Sequence, residues 1–194
     1  CSVTYKTLFM KKACLDLTVS SIDHLNEKYV LIKLTSQDAM PPMAPGQFVE
    51  VKVEKSPNTF LRRPISIHNF DAETNELWLL VARIGDGTRQ MGELHVGDTL
   101  NCVLPLGNGF TMPDTADKRL LLVGGGVGVA PLLYFGAEIK KMGGRPSFLL
   151  GARTKTDLLQ LELFEALGDV YVTTEDGSYG ERGFVTNHSV LQTT

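Results

Sequence analysis

The sequence predicts two joined units: a small antiparallel β-barrel, then a parallel α/β nucleotide-binding domain that reads as truncated. Three observations predict this. The first half carries short period-two apolar runs split by turn residues. After Pro113 the rhythm changes to uninterrupted apolar runs alternating with helical periods. A glycine-rich segment, Gly124 to Pro131, lies between the first of those runs and the first helix.

In the barrel half, strands are expected at Tyr29–Leu34, Gln47–Val53, Pro64–Phe70, Leu77–Ala82 and Thr99–Leu104. Val49, Val51 and Val53 fall on one face of the second run, and Glu50 and Lys52 on the other. Turn chemistry separates the runs: Pro45-Gly46, Asp71 to Asn75, Gly85-Asp86-Gly87 and Gly97-Asp98. Short strands at close spacing with no helical period between them suit a small barrel.

The boundary is expected near 112–118. "KRLLLVGGG" then reads as a strand buried on both faces. "PLLYFGAEIKKMGG" has helical period, with Pro131 suited to the first turn and Gly143-Gly144 to the C-terminal cap. A strand "SFLLGA", a helix around "LLQLELFEALG" and a strand "VYVTT" follow. This order implies a parallel sheet with right-handed crossovers.

The chain has 194 residues, 43% hydrophobic and 21% charged, with a formal net charge of −3. So small a charge argues against nucleic acid or a membrane surface as partner. No apolar run approaches the roughly 18 residues a membrane span needs. The opening lacks signal-peptide character, and a soluble, cytoplasmic protein is expected. Cys1, Cys14 and Cys102 are too few and too scattered for a disulfide framework or a metal site, so no metal ligand is expected in this chain. The first methionine is Met10, which marks residues 1–9 as an upstream or non-native segment. The other end, "GFVTNHSVLQTT", stops where a helix is expected to start, so the chain reads as a piece of a longer protein.

Glycine at a strand-to-helix turn lets the backbone approach a phosphate, and the helix start offers N–H groups to negative charge. Gly124 and Gly126 fit the first two places of the dinucleotide fingerprint, but Val129 holds the third. Gly126-x-Gly128-x-x-Pro131 describes the loop better, and a tight strand-to-helix turn with no ligand is the other reading of the same glycines. At the end of the second parallel strand stands Arg153, where the common dehydrogenase domain has an acidic ribose ligand. In the barrel half, "FLRRPISIHNF" opens a strand with two arginines, which suits either a solvated edge with a turn or a guanidinium held beside an anionic ligand.

A barrel carrying Arg-Pro-x-Ser joined to a parallel domain opening with Gly-x-Gly-x-x-Pro resembles the ferredoxin–NADP reductase superfamily. Within it the chain is most similar to the electron-transfer subunits of the heteromeric (B, NAD+) class of dihydroorotate dehydrogenase. The hallmarks stand in family order as "PGQFVEV" (45–51), "LRRPISI" (61–67), "RIGDGT" (83–88), "PLGNGF" (105–110), "VGGGVGVAPL" (123–132) and "EDGSYGERG" (175–183). They cover about 10–187, and the resemblance divides the chain into an FAD-binding barrel at 10–113 and an NAD-binding domain at 117–194.

The resemblance implies that Arg63 pairs with the FAD pyrophosphate and that Pro64 fixes the backbone there. It brings Ile65 and Ser66 to the isoalloxazine edge, with Val81, Ala82 and Arg83 continuing the surface. Gly87 and Thr88 close on the pyrophosphate. Arg62 has no implied role, and His68 reads as structural. For NAD it implies Gly124, Gly126, Gly128, Pro131 and Asp176, the last in a loop with Tyr179 that reads either as facing the nicotinamide or as a plain Asp-Gly turn. It implies hydride transfer between NAD(H) and FAD, with no catalytic acid–base pair. Electrons would pass by a [2Fe–2S] centre to an FMN-containing dihydroorotate dehydrogenase catalytic subunit, in a heterotetramer serving pyrimidine biosynthesis. The family's Cys-Gly-Pro segment and its C-x₄-C-x₂-C…C cluster are not in these residues, so the centre is expected only in the full-length protein. Other readings stay open: a related NAD(P)H-dependent flavin or ferredoxin reductase or transhydrogenase small subunit, or a non-catalytic FAD-binding fragment. Arg153 and Lys155 leave NADPH open.

Overall fold

The structure is a computed structural model that describes residues 12–54, 56 and 59–192. Residues 1–9, Cys1 and Met10 lie outside the described residues.

Six antiparallel strands close into a barrel in the order β1-β2-β5-β4-β3-β6. They are β1 (Ala13–His24), β2 (Tyr29–Thr35), β3 (Phe48–Val51), β4 (Arg63–Asp71), β5 (Glu76–Ala82) and β6 (Thr99–Leu106). The barrel is sealed by β1 against β6, from Ala13↔Leu104 to Thr18↔Thr99. Alternation turns Leu17, Val19, Ile32, Leu34, Val49, Val51, Ile65, Ile67, Leu77, Leu79, Val81 and Leu104 into one core. Each such side chain contributes about 1.5–3 kcal/mol on leaving water.

Two elements depart from expectation here. Strand β1 was not anticipated, although Leu15, Leu17 and Val19 alternate with Asp16 and Thr18. The turn at Gly85-Asp86-Gly87 instead opens a short helix, α1 (Asp86–Met91), with Gly85 as N-cap.

The second unit is a four-stranded parallel sheet, order β10-β9-β8-β7, of β7 (Leu121–Gly125), β8 (Ser147–Ala152), β9 (Asp169–Thr174) and β10 (Glu181–Arg182). The expected boundary falls in the connection between β6 and β7. Helices α2 (Ala130–Lys141) and α3 (Leu161–Leu167) cover one sheet face, where Leu122, Leu150, Phe148 and Phe164 pack. Phe148 and Phe164 meet edge to face at 5.1 Å.

The expectation that the first parallel strand is buried on both faces is corrected. Leu121 and Val123 are exposed at 38% and 45%. The reason is topological: β7 is an edge strand, and α2 and α3 both lie on the opposite face. On this second face Val185 lies against Gly151 and His188 against Tyr171.

The two units are packed together. Helix α2 lies against β4, and its Tyr134 hydroxyl donates to the Met43 carbonyl at 3.0 Å. Phe110, past the end of the barrel, stacks on Phe135 at 4.9 Å. Lys28 reaches the buried Asp157 at 2.9 Å. Among the described residues no helix is long and apolar enough to cross a membrane.

Candidate functional site

The first cavity arises from a gap in the barrel ladder. Strand β4 pairs with β5 from Ile67↔Leu79 onward to Asp71↔Glu76, while residues 63–66 pair only with β3. The Ile67 amide donates to the Gln47 carbonyl on the β3 side. Alternation therefore turns the amide side of Pro64 and Ser66 the other way, toward the opening. Proline costs no ladder bond there, and the Ser66 N–H faces a space rather than a strand. That space, about 280 Å³, is lined by Pro64, Ile65, Ser66, Leu80, Ala82, Thr88, Val127, Gly128 and Ala130. Both units contribute to it.

The two arginines that open β4 do different things. Arg62 reaches across the barrel to the Glu50 carbonyl at 3.3 Å and the Asn101 carbonyl at 3.0 Å, and also bonds the Asn101 side-chain oxygen. It ties β3 to β6. Arg63 meets no carboxylate among the described residues and folds back on the Leu61 carbonyl, Nε at 3.2 Å and Nη2 at 3.0 Å. Beside it lies the start of α1. A Cβ on Gly87 would stand 3.0 Å from Thr59 Cγ2 and 3.3 Å from Arg63 Cγ, so glycine permits this approach. The Thr88 hydroxyl accepts from the Ile84 and Gly85 amides and holds the turn. A guanidinium without a carboxylate, next to the free N–H groups of a first helical turn, is a fit for a phosphate.

The second cavity, about 510 Å³, opens at the carboxyl ends of β7, β8 and β9, where open parallel sheets bind ligands. Its walls include Gly125, Gly126, Gly151, Arg153, Thr173 and Glu175, closed from the barrel side by Lys28, Tyr29, Ala82 and Arg83. Gly126 has φ +54°, a backbone state that favours glycine, and only the Tyr29 hydroxyl comes near its missing Cβ. Gly128 has nothing within 4 Å of that position. Gly124 differs: a Cβ would lie 2.9 Å from Leu132 Cδ1 and 3.1 Å from the Gly128 carbonyl, so its place is in strand–helix packing.

Two buried polar side-chain atoms have no partner in the described residues, Arg83 Nε and Thr173 Oγ1. Both residues line this second cavity. An orphaned buried polar atom costs about 1–3 kcal/mol; Arg83 Nε is covered by Gly92 and Thr173 Oγ1 lies beside Gly151, so a ligand reaches either atom only if its side chain turns toward the cavity. Arg83 is held in place by Glu93 at 2.6 Å, and Gly92 leaves room for its guanidinium. The two cavities share Ala82 and Val127 as a common wall.

Among the expected flavin residues, Pro64, Ile65, Ser66, Ala82 and Thr88 come together at the first cavity, and Arg83 lines the second. Arg63, Gly87 and Val81 line neither: Arg63 and Gly87 sit together at the start of α1, and the Val81 side chain is in the barrel core. Of the expected dinucleotide residues, Gly126 lines the second cavity and Gly128 the first. Gly124, Pro131 and Asp176 line neither. Pro131 lies in the first turn of α2. Asp176 is engaged in its own turn, accepting from the Ser178 amide at 3.0 Å and hydroxyl at 2.6 Å, which hold its carboxyl below the usual range. Leu80, Val127, Ala130, Thr173 and the Lys28–Tyr29 pair were not anticipated; they meet only through the packing of the two units.

The described residues do not fit an iron–sulfur centre. No group of three or more His, Cys, Asp or Glu is placed to hold a metal ion among them. Cys14 is exposed, and burial pushes the Cys102 thiol up to about 12.

A six-stranded barrel open beside Arg-Pro-x-Ser, joined to a parallel sheet with a glycine loop, defines the ferredoxin reductase-like class of two-domain folds. Solved structures agree. The chain overlays an NADH-dependent reduced ferredoxin-NADP oxidoreductase structure with a TM-score of 0.77 and 29% identity, covering 88% of this chain and 60% of that one. It overlays a ferredoxin NADP+ reductase from Neisseria gonorrhoeae, with bound FAD and NADP, with a TM-score of 0.74 at 18% identity, covering 92% and 78%; this likeness is one of fold. No family model matches.

Among curated proteins, the electron transfer subunit of dihydroorotate dehydrogenase B (NAD(+)) from Geobacillus kaustophilus is 37% identical over 172 residues, 88% of this chain and 67% of its own length. The subunit of the same name from Shouchella clausii is 40% identical over 144 residues, 74% of this chain and 56% of its own. The chain belongs to this family of electron transfer subunits. It spans between about half and two thirds of the length of these relatives, 56% of one and 67% of the other.

Proposed function

We propose that this chain binds FAD in the opening between β4 and β5 and a nicotinamide dinucleotide at the carboxyl ends of β7–β9. It does so within a subunit that passes electrons between a dihydroorotate-oxidising catalytic partner and NAD+. The observation that carries the reading is the common wall: Ala82 and Val127 border both cavities, so rings held in the two would face each other there. When bound, the flavin supplies two-electron exchange with the nicotinamide and one-electron exchange with a downstream centre.

The protein's part is position and electrostatics. Arg63 supplies a charge for the pyrophosphate, beside the N–H groups at Gly87. Pro64 fixes the backbone of β4, and the Ser66 N–H and hydroxyl face the flavin edge. Leu80, Val127 and Ala130 keep water from the reacting rings. In the second cavity Gly126 turns the backbone so that a pyrophosphate can approach, while Thr173 and Arg83, on the cavity wall, turn their side chains to bring their unused atoms to the dinucleotide. NAD(H) rather than NADP(H) follows from the relatives' name. From the family we also take an FMN-containing catalytic subunit as partner, in a heterotetramer, and a [2Fe–2S] centre whose ligands lie outside the described residues.

The reading is tested by titrating apo-protein with FAD, then adding NADH anaerobically to the full-length subunit. Stoichiometric FAD that NADH reduces supports it. A protein that binds neither refutes it.

A further inference from the structure

His68 lies on the same outward face of β4 as Pro64 and Ser66, two residues past the serine that lines the first cavity. It is fully buried (0% exposed). Its Nδ1 stands 2.6 Å from the Ala130 carbonyl, and its Nε2 stands 2.7 Å from the terminal amide of Gln160. Ala130 is the first residue of α2, follows the turn Gly126–Val129 directly, and lines the first cavity itself. One imidazole thus joins the flavin-side strand, the end of the glycine loop and the turn that opens α3.

We infer that His68 is a positioning residue for electron exchange between the two cavities: it holds Ala130 against β4, and Ala130, whose N–H bonds the Val127 carbonyl, sets the place of Val127 in their common wall. A carbonyl only accepts, so Nδ1 carries the proton and donates to Ala130. Burial lowers the imidazole's pKa from 6.5, leaving the ring neutral. Gln160 Oε1 stands at Nε2, and since two acceptors cannot bond each other, the neutral ring requires the Gln160 amide turned end for end, with its N–H donating to Nε2. Gln160 has φ +53°, an uncommon state for a non-glycine residue, and this bond helps hold it there. Only the Ala130 arm touches the cavity wall, so the two arms have separable consequences.

The inference rests on the function proposed above. The experiment uses the full-length subunit with its catalytic partner and follows flavin reduction by NADH in stopped flow, with FAD content and NADH Kd measured beside it. In H68N the amide nitrogen falls near the position of Nδ1 and keeps the Ala130 arm; in H68Q it falls near Nε2 and keeps the Gln160 arm. Q160N removes the second arm while tolerating the left-handed backbone. Misplacing reacting groups by about 1 Å costs on the order of a hundredfold. H68Q should therefore lose at least about tenfold in limiting rate with FAD content intact and NADH Kd changed less than about threefold, while H68N and Q160N stay within about threefold of wild type. Equal rates in H68Q and wild type would overturn the inference, as would H68N as slow as H68Q, or a loss that lies wholly in Kd or FAD content. Should neither His68 variant fold, a tenfold slower Q160N would still overturn it. A wild-type flavin that NADH does not reduce would instead overturn the underlying function, and the inference with it.

Discussion

Removing one arginine of the Arg62–Arg63 pair should cost flavin, and removing the other should cost fold. In Arg63→Ala the protein loses a side chain whose bonds go only to the carbonyl of Leu61, two residues away. Stability should change by no more than about 0.5 kcal/mol, as for other surface substitutions. A charge-assisted hydrogen bond to phosphate contributes about 1.5–3 kcal/mol. FAD should therefore bind about tenfold to 150-fold more weakly. Arg62→Ala removes the tie from β4 to Glu50 and Asn101 instead. That should lower stability by about 1–3 kcal/mol, or about 2–4 °C in Tm per kcal/mol for a chain this size. FAD affinity should stay within about threefold. Apo-protein titrated with FAD by fluorescence, with thermal melts of the same samples, reads both quantities. Unchanged FAD affinity in Arg63→Ala, or equal loss of affinity in both variants, would refute the division of roles.

Gly128→Val should leave Tm unchanged, because nothing lies within 4 Å of the new Cβ, yet slow flavin reduction by NADH by blocking the space beside the wall; normal kinetics would remove Gly128 from the site. Thr173→Val deletes a buried hydroxyl that has no partner, so the protein should be as stable or more so, while NADH binds about twofold to twelvefold more weakly. Calorimetric titration checks this, and equal Kd values would discard Thr173 as a contact. The lowered pKa of His68 means that below pH 6.5 the unfolded chain takes up a proton the folded one resists. Stability should then fall with pH, by up to about 1.4 kcal/mol per unit until the folded pKa is reached. Urea midpoints from pH 7.5 to 5.5 should fall less in H68N than in wild type; parallel lines would count against a neutral His68.

The barrel strands and the glycine loop were legible because their signals are local. Period two at Val49, Val51 and Val53, and the glycine run before Pro131, each sit within a few residues. Strand β1 was legible in principle through Leu15, Leu17 and Val19, which alternate with Asp16 and Thr18 at the strand period. Helix α1 was not, since six residues opened by Gly85-Asp86-Gly87 look like a turn. Long-range pairing hid the rest. Arg62 finds its partners 12 and 39 residues away. The first cavity exists because β4 and β5 stop pairing at Ile67, and no local pattern announces that. The half-covered sheet face came from both helices packing on one side. The orphaned atoms of Arg83 and Thr173 appear only once every neighbour is placed. His68 did read as structural, and its place behind the wall became visible only with Ala130 against it.

The most direct test of the central claim is anaerobic stopped-flow mixing of the full-length, FAD-loaded subunit with NADH, watching the flavin's visible absorption. If the two cavities hold rings face to face across Ala82 and Val127, the flavin bleaches in a saturable phase that Thr173→Val and Gly128→Val each slow or weaken. A flavin bound one to one that NADH leaves oxidised, or that bleaches equally in all three proteins, would contradict the account.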